Sequence, residues 1–300
     1  MTGSIPGFHR QVVNVGTIDL SVQRAGSGRP LILLHGYPQN GMCWTKVAPE
    51  FAEHFQVIIP DLRGYGQSGA PPDDAGHRAY SKRVMAQDIV GLMDALGCPS
   101  ARVLAHDRGA RVGYRMALDH PGRIDRIGII EIVPTVEFWD AWTAELALSA
   151  YHWTFLAQPA PLPESLIAAD PVGYIDMMLA RWTRDKSLSA FTKGALESYR
   201  EQARDPARIA AMCADYRAGA TVDRALDATD RDAGRKITAP LKFLWAEDGF
   251  PARTGDPLGV WKRWATQVWG QSCVSGHFAM EENPQAVLET FLPFFLSDNG

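Results

Sequence analysis

The stretch VLAHDRGAR, residues 103–111, carries the clearest structural signal in this chain of 300 residues. The apolar run at 101–105 is typical of a buried strand, and the pattern over 110–119 predicts a helix. Between them, Asp107 lies two positions from a small residue on either side, Ala105 and Gly109. A turn this tight has no room for larger neighbours. We therefore expect it to present Asp107 above the edge of a sheet.

Strand and helix patterns alternate through the first half of the chain, which is typical of a mostly parallel sheet with helices on its faces. Periodic apolar residues at 81–97 predict an amphipathic helix that Gly97 closes. The remaining runs predict an opening hairpin at 11–23, buried strands at 30–34, 56–60, 127–133 and 240–245, and a last helix at 283–296.

The strand pattern stops between Thr135 and Arg235, where Trp, Ala, Leu and Arg recur at helical spacing. This predicts a helical cap inserted into an α/β domain. We expect a core made of residues 1–134 and 236–300 and a cap made of residues 135–235.

Composition excludes several classes of protein. The chain has 30 Lys and Arg against 34 Asp and Glu, a net charge of −4, and no basic block. This argues against nucleic acid or an anionic membrane as partner. No apolar run approaches the roughly 20 residues of a membrane span, and the N-terminus lacks the features of a secretory signal. The four cysteines are far apart and form no CxxC pair, as expected of thiols in a reducing cytoplasm. We expect a soluble cytoplasmic protein without a metal site.

The spacing around Asp107 matches a nucleophile elbow, with aspartate where a hydrolase usually has serine. A helix N-terminus favours the negative charge of such a group. No G-x-S-x-G occurs in the sequence, so serine esterase chemistry has no obvious place. The alternative is that Asp107 only caps the helix.

Six segments together give the chain a specific resemblance. It resembles the α/β-hydrolase superfamily and, within it, the fluoroacetate dehalogenases, over nearly its whole length. The segments are HGYPQN at 35–40, DLRGYG at 61–66, HDRGAR at 106–111, YHW at 151–153, Tyr216, and GHF at 276–278. The resemblance implies an α/β-hydrolase fold, a mostly parallel central sheet with helices on both faces and an inserted helical cap. It also implies hydrolytic dehalogenation of a short 2-haloacid, with fluoroacetate converted to glycolate.

An aspartate nucleophile suits attack at a tetrahedral carbon, forming an alkyl-enzyme ester that water then hydrolyses. The second step needs a general base, and we expect His277, in the loop before the last helix, to supply it. Two acids compete to orient this histidine. The resemblance favours Glu131, although relatives usually carry aspartate there, and Asp248 is the alternative.

Arg108 and Arg111 lie three residues apart at the start of the predicted helix, on neighbouring positions of one face. Paired guanidinium groups suit a substrate with its own carboxylate, which arginine binds with bidentate, charge-assisted hydrogen bonds. Haloalkane dehalogenases and epoxide hydrolases typically have tryptophan in place of Arg108. The alternative is that one arginine forms a salt bridge with a carboxylate of the cap.

The resemblance also implies a halide site formed by His152, Trp153 and Tyr216, whose N–H and O–H groups are hydrogen-bond donors. Because adjacent residues do not share a face of a regular helix, His152 and Trp153 require a kink or a helix end. For Trp153 the alternative is core packing. Tyr37 is expected near the oxyanion loop, where its backbone N–H acts together with that of Arg108.

Three alternatives stay open. An epoxide hydrolase would use the same aspartate and histidine with two cap tyrosines, Tyr216 and one of Tyr151, Tyr174 or Tyr199. A dehalogenase that prefers chloroacetate is the second, and a non-catalytic binding protein on the same scaffold is the third. We expect neither metal nor organic cofactor, and the resemblance implies a homodimer.

Overall fold

The structure, a computed structural model, describes residues 3–297. Its strands are β1 (His9–Asn14), β2 (Asp19–Ala25), β3 (Pro30–Leu34), β4 (Gln56–Pro60), β5 (Ala101–His106), β6 (Ile124–Ile130), β7 (Leu241–Ala246) and β8 (Val268–Cys273). They form one sheet in the order β1-β2-β4-β3-β5-β6-β7-β8. The pairs β1–β2 and β2–β4 are antiparallel, and every other neighbouring pair is parallel. The predicted mostly parallel sheet is therefore present.

Two strands differ from the sequence prediction. β6 begins at Ile124 rather than at 127, and it ends at Ile130 rather than at 133, because Glu131 adopts a left-handed backbone conformation with φ +60°. The strand β8 has no counterpart in the prediction. It lies at the edge of the sheet and alternates between partly buried and exposed residues, so it lacks the apolar run of a central strand.

Helices of the described chain follow the strands and fill one long insertion. They are α1 (Ala48–Ala52), α2 (Lys82–Ala95), α3 (Asp107–Asp119), α4 (Thr135–Asp140), α5 (Ala144–Ser149), α6 (His152–Leu156), α7 (Leu162–Ile167), α8 (Pro171–Trp182), α9 (Lys193–Ala203), α10 (Pro206–Ala220), α11 (Val222–Asp232), α12 (Phe250–Arg253), α13 (Pro257–Trp264), α14 (Ala279–Glu282) and α15 (Pro284–Leu296). Helices α4 to α11 lie between β6 and β7, in the region predicted to be helical. The division of the chain into core and cap domains stays a prediction.

Helix α2 has a capping residue at its N-terminus and an apolar face that is buried. The side chain of Ser81 caps α2 by accepting a hydrogen bond from the backbone of Val84 at 3.3 Å. On the buried face of α2, Met85, Ile89 and Leu92 are fully covered. None of the helices in residues 3–297 combines the length and the apolar character needed to cross a membrane.

Buried ion pairs fasten the inserted helices to the sheet domain. On α3, Arg115 bonds Asp227 at 2.8 Å and Asp230 at 2.5 Å, and both acids belong to α11. Asp215 of α10 pairs in the same way with Lys82 and Arg108 of the sheet domain. These buried pairs hold α10 and α11 against α2 and α3, and removing one partner of such a pair is strongly destabilising.

Candidate active site

The turn between β5 and α3 presents Asp107 in a strained conformation. Its backbone φ is +46°, in the left-handed region that aspartate tolerates better than most residues. A Cβ on Gly109 would lie 2.2 Å from the carbonyl oxygen of His35, and a Cβ on Gly36 would lie 2.4 Å from the Cβ of Asp107. Both positions therefore require glycine. The structure has the tight turn that the sequence predicts, with α3 beginning at Asp107 itself rather than at residue 110.

Two groups face the carboxylate of Asp107. The backbone N–H of Tyr37 donates to Oδ1 at 2.9 Å, and Nε2 of His277 lies 3.7 Å from Oδ2. Burial raises the pKa of Asp107, but the nearby histidines and Arg108 and Arg111 outweigh it and hold the pKa below its ordinary value. The side chain is therefore ionised at neutral pH, which is the form a nucleophile needs.

His277 lies in the loop between β8 and α14, and its backbone is held on both sides. Its N–H donates to the carbonyl oxygen of Trp182 at 2.9 Å, and its own carbonyl lies 2.8 Å from Nε2 of His106. Burial lowers the pKa of His277, against the raising effect of Asp107. The imidazole is consequently neutral near pH 7, so a ring nitrogen can accept a proton.

The two acids predicted to compete for His277 occupy different surroundings. Oε2 of Glu131 accepts a hydrogen bond from the backbone of Ala246 at 2.6 Å, and burial raises the pKa of Glu131 to about 8. The side chain of Asp248 is 83% exposed and lies 3.9 Å from Arg184. Within the described chain, neither carboxylate hydrogen-bonds to His277. The role of Glu131 as the orienting acid stays a prediction.

Arg108 and Arg111 are both buried beside Asp107. Nε of Arg108 donates to Oδ2 of Asp215 at 3.1 Å, so this arginine forms the cap salt bridge that we considered as the alternative. Nη1 of Arg111 donates to the carbonyl oxygen of Val133 at 3.1 Å and to Oγ1 of Thr135 at 3.0 Å. Among the described residues, Nη1 of Arg108 and Nε of Arg111 have no hydrogen-bond partner.

The predicted halide-binding residues lie together on the inserted helices α6 and α10. His152 and Trp153 begin α6, so the helix end that their adjacency requires is present. The ring centroids of His152 and Trp153 lie 5.6 and 5.7 Å from that of Tyr216. Burial lowers the pKa of His152 to about 3, and its Nδ1 has no partner within residues 3–297. Trp153 also stacks on Phe138 with centroids 4.0 Å apart, so it contributes to core packing as well.

A cavity of about 640 Å³ is lined by most of these side chains. The predicted site residues that line it are Asp107, Arg111, Glu131, Asp248, His152, Trp153 and His277. Arg108, Tyr37 and Tyr216 lie behind this lining, where the Arg108 guanidinium sits 4.3 Å from the centroid of the Tyr216 ring. Four basic side chains also line the cavity: Arg181, Arg184, Lys186 and Arg253.

Sequence reasoning missed two acidic residues that hold this site. Asp215 neutralises Arg108, and the only available signal was an acid within the alanine-rich stretch directly before Tyr216. Glu282 accepts hydrogen bonds from the backbone on both sides of His277. Its signal was the pair of glutamates that follows the histidine loop.

Comparison with known proteins identifies the family of the fold. The sequence signature of the alpha/beta hydrolase fold matches residues 29–205. The chain is 39% identical over 292 residues to a fluoroacetate dehalogenase from Burkholderia sp., covering 97% of this chain and 95% of the relative. It is 33% identical over 275 residues to a soluble epoxide hydrolase from Corynebacterium sp. strain C12, covering 90% and 91%. The crystal structure of ALR0039 from Nostoc sp. PCC 7120 superimposes with a TM-score of 0.94 at 42% identity, covering 98% of this chain and 99% of that one. The expected fold class and the resemblance to these hydrolases are confirmed.

Proposed function

The chain belongs to the alpha/beta hydrolase family, and from this membership and the site geometry we propose that it removes halide hydrolytically from short 2-haloacids. Fluoroacetate is the proposed substrate and glycolate the product. One observation carries the choice of an anionic substrate. Beside the nucleophile, Arg108 and Arg111 are buried guanidinium groups, and each keeps one N–H without a partner among the described residues. A substrate carboxylate satisfies such donors with charge-assisted hydrogen bonds.

The electrostatics of the site support this choice. An anionic substrate about 4 Å from Asp107 would be repelled by about 4 kcal/mol at an effective dielectric constant near 20. The positive charges of Arg108 and Arg111 offset that repulsion. Arg111 lines the cavity and pairs with no carboxylate of residues 3–297, so it takes the larger share of binding. Arg108, paired with Asp215, contributes its remaining N–H.

The proposed reaction has two steps. In the first, an oxygen of Asp107 attacks the carbon that bears the halogen, and the halide leaves with the bonding electron pair to give an alkyl-enzyme ester. Donors on His152, Trp153 and Tyr216 stabilise the departing anion. In the second, His277 takes a proton from water as the water oxygen attacks the carbonyl carbon of the ester. The tetrahedral intermediate collapses by breaking the bond to the alkoxy oxygen, which takes the proton back from His277 and leaves as the hydroxyl of glycolate, and the carboxyl of Asp107 loses its proton to solvent. In this scheme the backbone N–H of Tyr37, already bonded to Asp107, stabilises the oxyanion.

Epoxide hydrolysis is the second candidate, because the Corynebacterium relative is named for it and the Asp–His pair would serve both reactions. It needs acidic hydroxyl groups directed at the epoxide oxygen. Tyr199 donates instead to Glu281 at 3.2 Å, and the hydroxyl of Tyr174 lies 3.5 Å from that of Tyr37. None of the three tyrosines considered as the second hydroxyl, Tyr151, Tyr174 and Tyr199, is among the described residues that line the cavity. The haloacid reaction is therefore the better fit.

A three-substrate assay separates the candidates. We would measure fluoride release from fluoroacetate, chloride release from chloroacetate, and diol formation from styrene oxide. We expect release from at least one haloacid and no diol, and the ratio of the two halide rates reports halogen preference. Diol formation without halide release would replace the proposal with epoxide hydrolysis. Inactivity on all three would favour the binding protein.

The setting of this reaction is proposed too. We place the enzyme in the cytoplasm, where its four free cysteines would stay reduced. We also propose that it forms a homodimer. Light scattering coupled to size-exclusion chromatography measures the mass directly, and a monomer mass at micromolar concentration would contradict the dimer.

A further inference from the structure

The carboxylate of Glu282 holds three backbone groups at once. Oε1 accepts from the N–H of Phe278 at 3.0 Å, and Oε2 accepts from the N–H of Gly276 at 2.9 Å and from the N–H of Arg184 at 2.7 Å. Gly276 and Phe278 flank His277, whereas Arg184 belongs to the insertion. One side chain therefore brackets the predicted general base and ties it to the inserted segment 182–184.

The backbones meet closely at this point. A Cβ on Gly276 would lie 2.4 Å from the N of Arg184 and 2.6 Å from the carbonyl oxygen of Trp182. That same carbonyl accepts the N–H of His277 at 2.9 Å. The loop and segment 182–184 are thus in direct main-chain contact. Since Glu282 bonds to both, its carboxylate sets their spacing.

Neither Glu131 nor Asp248, the two acids predicted to orient His277, holds the loop that carries this histidine. Glu131 bonds to Ala246 and Asp248 is exposed, as described above, so neither holds His277 in place. Besides its hydrogen bonds, Glu282 acts on the imidazole through its charge, which raises the pKa of His277 against the lowering effect of burial. A charged acceptor also makes stronger hydrogen bonds than a neutral one.

We propose that Glu282 is a positioning residue for His277, and that its carboxylate couples the inserted segment 182–184 to the hydrolysis of the enzyme ester. The proposal rests on the proposed function, since it assumes an ester that His277 helps to cleave. Attack by Asp107 does not need the base, whereas attack by water does. Loss of Glu282 should consequently slow the second step more than the first.

The test compares Glu282→Gln with wild type and with the control Glu289→Gln, an exposed glutamate of α15 whose partner is Gln285. Gln has the size of Glu but loses the charge and places an NH₂ group against backbone donors. Since small misplacements of reacting groups are costly, we expect kcat to fall by about tenfold to a hundredfold. Mass spectrometry of the peptide that contains Asp107 should show ester accumulating during turnover, and Glu289→Gln should match wild type.

Two further readouts distinguish positioning from loss of folding. Without the negative charge the pKa of His277 drops, so the acidic limb of the kcat profile should move to lower pH. Hydrogen–deuterium exchange should become faster at residues 276–278 and at Arg184. Glu282→Asp, which keeps the charge, should recover part of kcat and replaces Glu282→Gln if that variant does not fold.

Three results would overturn the proposal: a loss of kcat without ester accumulation, an unshifted pH profile, or unchanged exchange in both segments. Its failure is distinguishable from failure of the proposed function. If wild type releases no halide, the proposed function fails while hydrogen exchange still reports the coupling. If wild type opens styrene oxide instead, ester accumulation is measured with that substrate.

Discussion

Asp107 has a backbone φ of +46°, a depressed pKa and a backbone N–H donor at 2.9 Å. Strained, buried and ionised residues cluster at functional sites, because the surrounding structure must hold them in place. Here Gly36 and Gly109 provide the space, as a Cβ at either position would collide with its neighbours. The groups of the site are thus arranged around the carboxylate of Asp107.

The variant Asp107→Asn tests whether the carboxylate of Asp107 is the nucleophile. The amide keeps the shape of the side chain but is a far weaker nucleophile, so halide release should fall by more than about a thousandfold. Urea unfolding should show that the fold is retained. The matched control is Asp125→Asn, at an exposed position of β6, which should leave the rate unchanged. Substantial activity in Asp107→Asn would remove Asp107 from the mechanism.

The raised pKa of Glu131 predicts how the free energy of unfolding changes with pH. Its pKa in the folded protein is about 8, against an ordinary value of 4.5, because burial disfavours the charged form. Below 4.5 the residue is protonated in both states. As the pH rises from 4.5 to 8, the unfolded state gains stability by losing the proton, so the free energy of unfolding falls.

Glu131→Gln cannot ionise, so its free energy of unfolding should decline less than that of wild type between pH 4.5 and 8. Urea titrations at intervals across this range would measure both curves. Parallel curves would show that the carboxyl titrates normally in the folded protein.

Helix α10 joins the inserted helices to the part of the chain that contains the sheet. Asp215 accepts hydrogen bonds from Arg108, Lys82 and Tyr65, all from the sheet domain. The charges of Arg108 and Lys82 overcome the effect of burial and depress the pKa of Asp215. Helix α10 therefore holds Arg108, one of the two arginines proposed to bind the substrate, in place.

Asp215→Asn should be strongly destabilising, since it leaves buried cations without a counter-charge. We expect a loss of roughly 3 kcal/mol in the free energy of unfolding, measured with urea. The control is Asp176→Asn, which removes the partly exposed pair with Arg200 and should cost less than about 1 kcal/mol. Equal losses of unfolding free energy in the two variants would mean that the buried ion pairs of Asp215 stabilise the fold no more than an exposed pair does.

Attraction of an anionic ligand depends more on where the charges of the molecule lie than on its net charge. The net charge is −4, yet Arg181, Arg184, Lys186 and Arg253 line the cavity. The cavity also contains the acids Asp107, Glu131 and Asp248, but basic side chains outnumber them, and such an excess of positive charge attracts anionic ligands from a distance. An enzyme for an anionic acid gains association rate from such a cleft.

The steering predicts a salt effect. Raising the ionic strength from 0.02 to about 0.5 M should lower kcat/KM for a haloacid by about twofold to fivefold, because salt screens exposed charges. The double variant Lys186→Gln, Arg253→Gln should depend less on salt, whereas Lys262→Gln, on the exposed surface of α13, should behave as wild type. Identical salt slopes in all three proteins would exclude steering by these residues.

The sheet was predictable because its central strands are short apolar runs, as at 30–34 and 56–60, where prediction and structure agree. The edge strand β8 was not, since an exposed strand has no such run. The turn around Asp107 was also readable, because small residues are needed on both sides. The partner of Arg108 was not, since Asp215 lies 107 positions along the chain. Contacts between the sheet domain and the inserted helices depend on packing that local sequence does not encode.

A single turnover in ¹⁸O-labelled water shows whether Asp107 forms an ester with the substrate. Excess enzyme would be mixed with fluoroacetate, and both the glycolate and the peptide containing Asp107 would be analysed by mass spectrometry. If a carboxylate oxygen of Asp107 bonds to the carbon, the new hydroxyl of glycolate carries ordinary oxygen and the label enters Asp107. Labelled glycolate from the first turnover, with unlabelled Asp107, would exclude an ester intermediate on Asp107.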